Sequence, residues 1–289
     1  AYEIVSRDWS SDVCSSDLYS GTYMNPTHTY LEDGVFIIRV TFDDFNEVYE
    51  LNIWQMPVLQ VAGCEFLTSL QYLYIEECIL TSFDTLSGPL SPILEELYLD
   101  DNWLTSFTPS YQLPDTLVYF ELYDNYYLKT LTLLEPLPSN LYDFDISWCG
   151  GNYPSSYYGY GVPGEDGGIT SPFNYTIPNS VQYMWLYSNK ISQFNPTFDI
   201  INSQLDVLDI SDNSLTSFDV NLPDNLYDLY INTNPLTSFN PVFTSASTIN
   251  SIEAYDTTLL TFNSSVELPS SLRYLDFSDN KPYGGVGSN

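Results

Sequence analysis

The chain is predicted to fold as a mainly β solenoid of about ten repeats of 21–24 residues, with a parallel sheet on the concave face and a helix-poor convex face. Three observations predict it. Apolar residues recur at one spacing along most of the chain, a polar residue (usually Asn) follows them at a constant offset, and a phenylalanine follows at a second constant offset.

The spacing is clearest as Leu70, Leu73, Ile75, Cys78, Leu80 and again as Leu94, Leu97, Leu99, Asn102, Leu104. Further copies start at Leu117, Leu141, Val181, Leu205, Leu226, Ile249 and Leu272, and a weaker one starts at Val48 with Leu51, Ile53, Met56 and Val58. Successive starts lie 22, 24, 23, 24, 40, 24, 21, 23 and 23 residues apart, so a single unit is held apart from one insertion.

Each element has a physical reason. Alternation in Leu97 and Leu99 against Glu96, Tyr98 and Asp100 puts the leucines on the inner side of a short strand and the others outside, one strand per repeat. Asn102, Asn125, Asn189, Asn213, Asn234 and Asn280 then stack as a ladder whose amides serve the backbone groups freed at each turn. Cys78 and Cys149 occupy the same position, where a buried thiol is expected. Three repeats separate them, roughly 14 Å at about 4.8 Å per strand, which is too far for a disulfide. Thirteen residues after the starts, Phe83, Phe107, Phe194, Phe218, Phe239 and Phe262 are expected to form a spine along the back. Pro114, Pro138, Pro178, Pro223 and Pro269, each three residues before a start, favour an extended approach and forbid a long helix.

The motif L-x-x-L-x-L-x-x-N-x-L resembles the leucine-rich repeat over nearly all of residues 48–282. The variant Leu236-Thr237-Ser238-Phe239-Asn240-Pro241, with Leu222-Pro223 ahead of Leu226, is similar to repeats of secreted bacterial and tailed-phage proteins. That resemblance implies a recognition module located extracellularly, on a cell surface or on a virion.

Residues 1–18 stand outside the pattern: Asp8-Trp9-Ser10-Ser11-Asp12-Val13-Cys14-Ser15-Ser16-Asp17-Leu18 resembles a translated sequencing adapter and is set aside as non-native. A secretion signal is thereby left open. Residues 19–47, with Thr27-His28-Thr29-Tyr30 and Gly34-Val35-Phe36-Ile37-Ile38-Arg39-Val40-Thr41-Phe42, resemble the last strands of a PKD-like domain and are expected to cap the solenoid. His28 reads as a turn residue. A Tyr/Gly-rich insertion is placed at about 150–176 within the solenoid of 48–289, and the Gly-rich end Gly284-Gly285-Val286-Gly287 shows no polar cap, so the natural protein is expected to continue.

The chain carries 38 acidic and 6 basic residues; without Glu3, Asp8, Asp12, Asp17 and Arg7 the counts are 34 and 5, a net charge near −29. Such a field disfavours nucleic acid and anionic membrane surfaces. With 44% hydrophobic and 16% aromatic residues the chain nevertheless has the apolar surface to fold, and no run of about 18 apolar residues spans a bilayer. Cys64, Cys78 and Cys149 form neither a zinc pattern nor a disulfide framework.

The outward strand positions are rich in aromatic and acidic residues, which offer rigid contact area and hydrogen-bond acceptors. The candidate ligand-binding set is Tyr98, Tyr119, Glu121, Tyr123, Asp145, Tyr183, Trp185, Tyr187 and Asp209, densest beside the insertion. A glycan stacking on the rings or a basic protein fits this face; self-assembly into a filament or surface layer is the alternative. No catalytic residues are expected. One histidine precludes a Ser-His-Asp arrangement, and an open sheet is expected to lack the enclosure that raises a carboxyl pKa for glycoside hydrolysis. The doublets Asp100-Asp101 and Asp212-Asn213 are candidates for Ca²⁺, without calcium-loop spacing, and no other cofactor is indicated. Asn174 and Asn263 match the N-glycosylation pattern.

Overall fold

The structure, a computed structural model, describes residues 2–7, 18–19, 37–41, 45–83, 88–150, 167–259 and 267–280. It divides into two compact units, Ala1–Val48 and Tyr49–Asn289. In the first, Tyr2–Arg7 pairs antiparallel with Ile37–Thr41 on one side and with Leu18–Tyr19 on the other. His28, the PKD-like turn around it, Cys14 and the Gly-rich end lie outside the described residues.

The second unit is the predicted mainly β solenoid. Ten strands, one for each start predicted from sequence, form a single parallel sheet in chain order: Glu50–Trp54, Tyr72–Glu76, Glu96–Tyr98, Tyr119–Glu121, Asp143–Asp145, Tyr183–Trp185, Val207–Asp209, Asp228–Tyr230, Ser251–Glu253 and Tyr274–Asp276. These are repeats 1 to 10. The register never slips: Leu73 pairs with Leu97, Leu97 with Phe120, Phe120 with Phe144, and Phe144 with Met184 across the insertion. A slip of one residue would turn every buried leucine outward, so the apolar alternation enforces this alignment. Leu73, Leu97, Phe120, Leu208, Leu229 and Ile252 are wholly buried; their counterpart in repeat 10, Leu275, is 39% exposed at the edge of the sheet.

The back face carries only fragments of sheet. Gln60–Val61 pairs with Ser82–Phe83, Ser106–Phe107 with Thr130–Leu131, and Ser217–Phe218 with Ser238–Phe239. Two 3₁₀ turns, Phe45–Glu47 and Cys64–Phe66, are the helical elements among the described residues. The prolines before each start lead into a turn rather than the extended approach expected: the carbonyls of Pro114, Pro138, Pro178, Pro223 and Pro269 each accept the amide of the next start residue at 3.0–3.3 Å, a tight turn into the strand.

The phenylalanine spine stacks as predicted, with ring centroids of Phe83 and Phe107 at 6.3 Å, Phe194 and Phe218 at 6.0 Å, and Phe218 and Phe239 at 5.9 Å. Two of its members were not read from the sequence. Leu131 fills the position in repeat 4 and Phe173 in repeat 5, where Phe173 stacks on Phe194 at 5.5 Å. Phe262 lies outside the described residues.

The ladder is more selective than a row of asparagines. Asn102, Asn125, Asn189, Asn213 and Asn234 accept the amides of Leu80, Leu104, Ile169, Ile191 and Leu215 from the preceding repeat, at 2.9–3.1 Å. Their side-chain nitrogens donate to backbone carbonyls of both repeats, as Asn102 does to Ile75 and Leu99. Cys78 and Cys149 reproduce only the donor half, their thiols reaching Ile53 and Leu122 carbonyls. The amides left without an acceptor close locally instead: Val58 bonds to Met56, and Leu128 to Asn125. Repeat 9 places Thr257 in the ladder, and there Leu236 bonds back to Asn234 in the same way while Asn280 accepts both the amide and the hydroxyl of Thr257.

The residue before each ladder position is left-handed in all ten repeats: Gln55, Glu77, Asp101, Asp124, Trp148, Ser188, Asp212, Thr233, Asp256 and Asp279, with φ between 48° and 56°. Half are aspartates, which tolerate this conformation better than most L-residues. Asp101 and Asp212 of the doublets considered for Ca²⁺ are thus turn residues. Among the described residues no group of three or more His, Cys, Asp or Glu side chains is arranged to hold a metal.

Candidate functional site

All nine predicted ligand-binding residues project from the sheet and are partly exposed. Pairing brings them together on repeats 3 to 7: Glu121 lies between Tyr98 and Asp145, Trp185 lies between Asp145 and Asp209, and Tyr119 is separated from Tyr183 only by Asp143. Tyr123 and Tyr187 extend the patch toward the turns, on either side of Ser147.

An aromatic rail crosses the patch. Tyr119, Tyr142 and Tyr183 meet edge to face at 5.8 and 5.4 Å, and the rings of Tyr183 and Trp185 lie nearly parallel at 6.3 Å. Trp148 stands edge-on to Tyr187 at 5.7 Å. Sequence reasoning missed Tyr142 and Trp148, because it counted only alternate residues within the strand. Tyr142 directly precedes the strand Asp143–Asp145 and Trp148 is the left-handed residue of the turn that follows it, so neither belongs to the strand's period of two.

Not every predicted residue is equally available. Oδ1 of Asp145 accepts the Ser147 amide at 2.8 Å and hydroxyl at 2.6 Å, and Asp209 holds Ser211 in the same way. These two carboxylates therefore brace the turn that follows their strand. Tyr98 leans toward repeat 2, 5.1 Å from Tyr74, whose hydroxyl donates to Glu96 at 2.6 Å.

The expectation that an open sheet raises no carboxyl pKa is corrected. Burial first, and neighbouring carboxylates second, push Glu121 up to about 8 and Asp100 up to about 7. Burial likewise lifts Asp143 and Asp145 to about 6, although Ser147 pulls Asp145 down and Trp185 pulls Asp143 down by hydrogen bonding. The physical reason is crowding: tyrosines and tryptophan on adjacent strands, ~4.8 Å apart, exclude water from carboxylates that alternate with them. One oxygen each of Asp100 and Asp143 is shut from solvent without a hydrogen-bond partner.

The insertion joins the solenoid through glycine. A Cβ on Gly150 would lie 2.7 Å from the Gly168 Cα, so the outgoing and returning chains touch. A Cβ on Gly167 would lie 1.6 Å from the carbonyl oxygen of Tyr126, and Gly168 is left-handed with φ 106°. Gly150 donates to the Ser188 carbonyl and Ile169 to Oδ1 of Asn189, so the ladder resumes at once. Of the insertion expected over about 150–176, residues 169–176 run along the back face, where Phe173 and Thr176 bridge to Phe194 and Thr197. Residues 151–166 lie outside the described residues. Asn174, one of the two glycosylation candidates, is exposed and accepts a hydrogen bond from Asn195; Asn263 is outside the described residues.

No family model matches the chain, and no curated protein matches it. Among solved structures it is similar to YopM from Yersinia enterocolitica WA-314, at 20% identity and a TM-score of 0.37. The match covers 74% of this chain and 47% of that one, so the chain spans about half the length of the protein it resembles. No helix among the described residues is long and apolar enough to cross a membrane.

Proposed function

We propose that the solenoid is a non-catalytic recognition module that binds a protein segment across repeats 4 to 6, acting outside the cell or on a virion. The observation that carries this reading is the rail Tyr119, Tyr142, Tyr183 and Trp185 flanked by Glu121 and Asp145. Rigid rings supply contact area at low entropic cost, and a lysine or arginine brought against Glu121 and the free oxygen of Asp145 favours their charged forms, which an acidic partner cannot do. A rigid parallel sheet preorganises them, since Tyr119, Tyr183 and Trp185 are held by strands and Tyr142 by the residue next to one.

A glycan is the second reading. It is favoured by the nearly parallel rings of Tyr183 and Trp185, inclined by only 2°, which offer a flat platform to sugar rings.

The test uses two probes on the same protein: an array of neutral and lysine/arginine-rich peptides, and a glycan array. Binding should appear on the basic peptides and weaken at least about tenfold in Trp185→Ala. Binding confined to glycans, with the same loss, would replace the first reading by the second. Binding that Trp185→Ala leaves unchanged would remove this face from recognition altogether.

A further inference from the structure

The middle of the sheet face gathers carboxyls on consecutive strands. Glu121 and Asp145 are direct neighbours across repeats 4 and 5, Asp143 lies on the same strand as Asp145, and Asp100 projects from the turn of repeat 3. Oδ1 of Asp100 and Oδ1 of Asp143 are buried with no donor. A carboxylate oxygen in such a place lacks both the water and the hydrogen bond that would stabilise its share of the charge.

Among the described residues, the groups around them supply no compensating cation. Repeat 2 contributes Glu76, Glu77 and Tyr74, repeat 3 contributes Glu96, Tyr98 and Asp101, and repeat 4 contributes Tyr119, Tyr123 and Asp124. Repeat 6 contributes Tyr183, Trp185 and Tyr187, and repeat 7 contributes Asp209 and Asp212. The lysines of this region belong to the far side of the turn. Lys129 precedes the back strand Thr130–Leu131, and the stem of Lys190 packs over Gly168.

We propose that this patch is a pH-responsive device: it takes up protons as the pH falls through the neutral range, which tightens the central repeats and lowers the negative charge of the sheet face. In an unfolded chain these carboxyls titrate near 4. In the fold they are raised, Glu121 to about 8 and Asp100 to about 7. The folded state therefore binds more protons than the unfolded state between those limits, and stability is lost as the pH rises through them. The gain in stability on acidification stands on the cluster alone; only its consequence for binding rests on the recognition reading above.

Urea unfolding of the full chain at pH 5.5 and pH 8.5 tests this. The wild type should unfold at higher urea at pH 5.5, with an unfolding constant smaller by about tenfold or more. Net negative charge alone would give a similar trend, so the double variant Asp100→Asn, Glu121→Gln is compared with Asp115→Asn, Glu267→Gln on the exposed surface. The first pair should lose most of the pH dependence by becoming more stable at pH 8.5, and the second should keep it. Equal slopes in both pairs, or a wild type destabilised at pH 5.5, would overturn the proposal. Carboxyl carbon titration by NMR gives a readout that folding defects do not mimic: at least one Asp or Glu must titrate above pH 6, and its absence sinks the idea. Should the pH effect hold while Trp185→Ala leaves peptide and glycan binding unchanged, the recognition reading fails and this one stands.

Discussion

Asn213 accepts the backbone amide of Ile191 on its side-chain oxygen at 2.9 Å, from the preceding repeat. Its side-chain nitrogen donates to the carbonyls of Leu186, Ile210 and Ser211, so one buried amide ties two turns together. Asn213→Ala should destabilise the solenoid by about 2–4 kcal/mol, because it strands an amide and three carbonyls. Asn213→Cys should cost less, since Cys149 shows that a thiol can keep part of the donor role. Urea unfolding followed by circular dichroism checks the order; a cysteine variant worse than alanine would contradict it.

Gly150 and Gly168, which lie on either side of residues 151–166, stand in contact, so the described ends of the solenoid meet there. Replacing those residues by a three-residue Gly/Ser linker should leave thermal unfolding within about 1 kcal/mol of wild type, as loop length costs little once the ends are joined. By contrast Gly167→Ala should cost about 2–4 kcal/mol, since its Cβ would overlap the Tyr126 carbonyl oxygen. Gly88→Ala, whose Cβ would make ordinary contacts 3.6 Å from Glu65, serves as the control and should be nearly neutral.

Thr233 is the β-branched member of the left-handed series, at φ 55°. Thr233→Asn should stabilise the protein by roughly 0.5–1 kcal/mol, because asparagine tolerates this region and threonine does not. The bond from its backbone amide to the Tyr255 carbonyl is kept in either case. A lower urea midpoint would show that the threonine side chain contributes more than its strain removes.

Cys64, Cys78 and Cys149 are all buried and free, and burial pushes the Cys64 thiol up to about 12 and raises the other two. A thiol-specific reagent at pH 8 should therefore leave these three unlabelled in the native protein and label them in urea. Mass spectrometry of digested peptides reads each site separately. Rapid native labelling of Cys149 would mean that repeat 5 opens without global unfolding.

Much of this was legible in the sequence because a parallel solenoid repeats one local environment. Leu73 and Leu97 announce the strand, Pro114 and Pro138 announce the absence of a long helix before it though not the turn they make, and the constant offset of Asn102, Asn125 and Asn213 announces the ladder. The spine was lost where the offset shifts: repeat 4 sets Leu131 fourteen residues after its start, and repeat 5 reaches Phe173 only after the insertion. The left-handed residue has no single identity to search for, since Gln55, Trp148 and Thr233 share it with five aspartates.

By itself, then, the sequence determined the number of repeats, their register and the face on which Tyr183, Trp185 and Glu121 stand, because each follows from period and burial along the chain. Only the tertiary structure decided which of those side chains meet, and what state they take. Tyr142 joins the rail, Trp148 meets Tyr187, Asp145 and Asp209 turn to their serines, and Glu121 and Asp100 are driven toward protonation. The two Asp–Ser bonds are local, two residues along the chain; the other outcomes depend on neighbours one repeat away, at strand spacing rather than chain spacing, and on the water that those neighbours exclude.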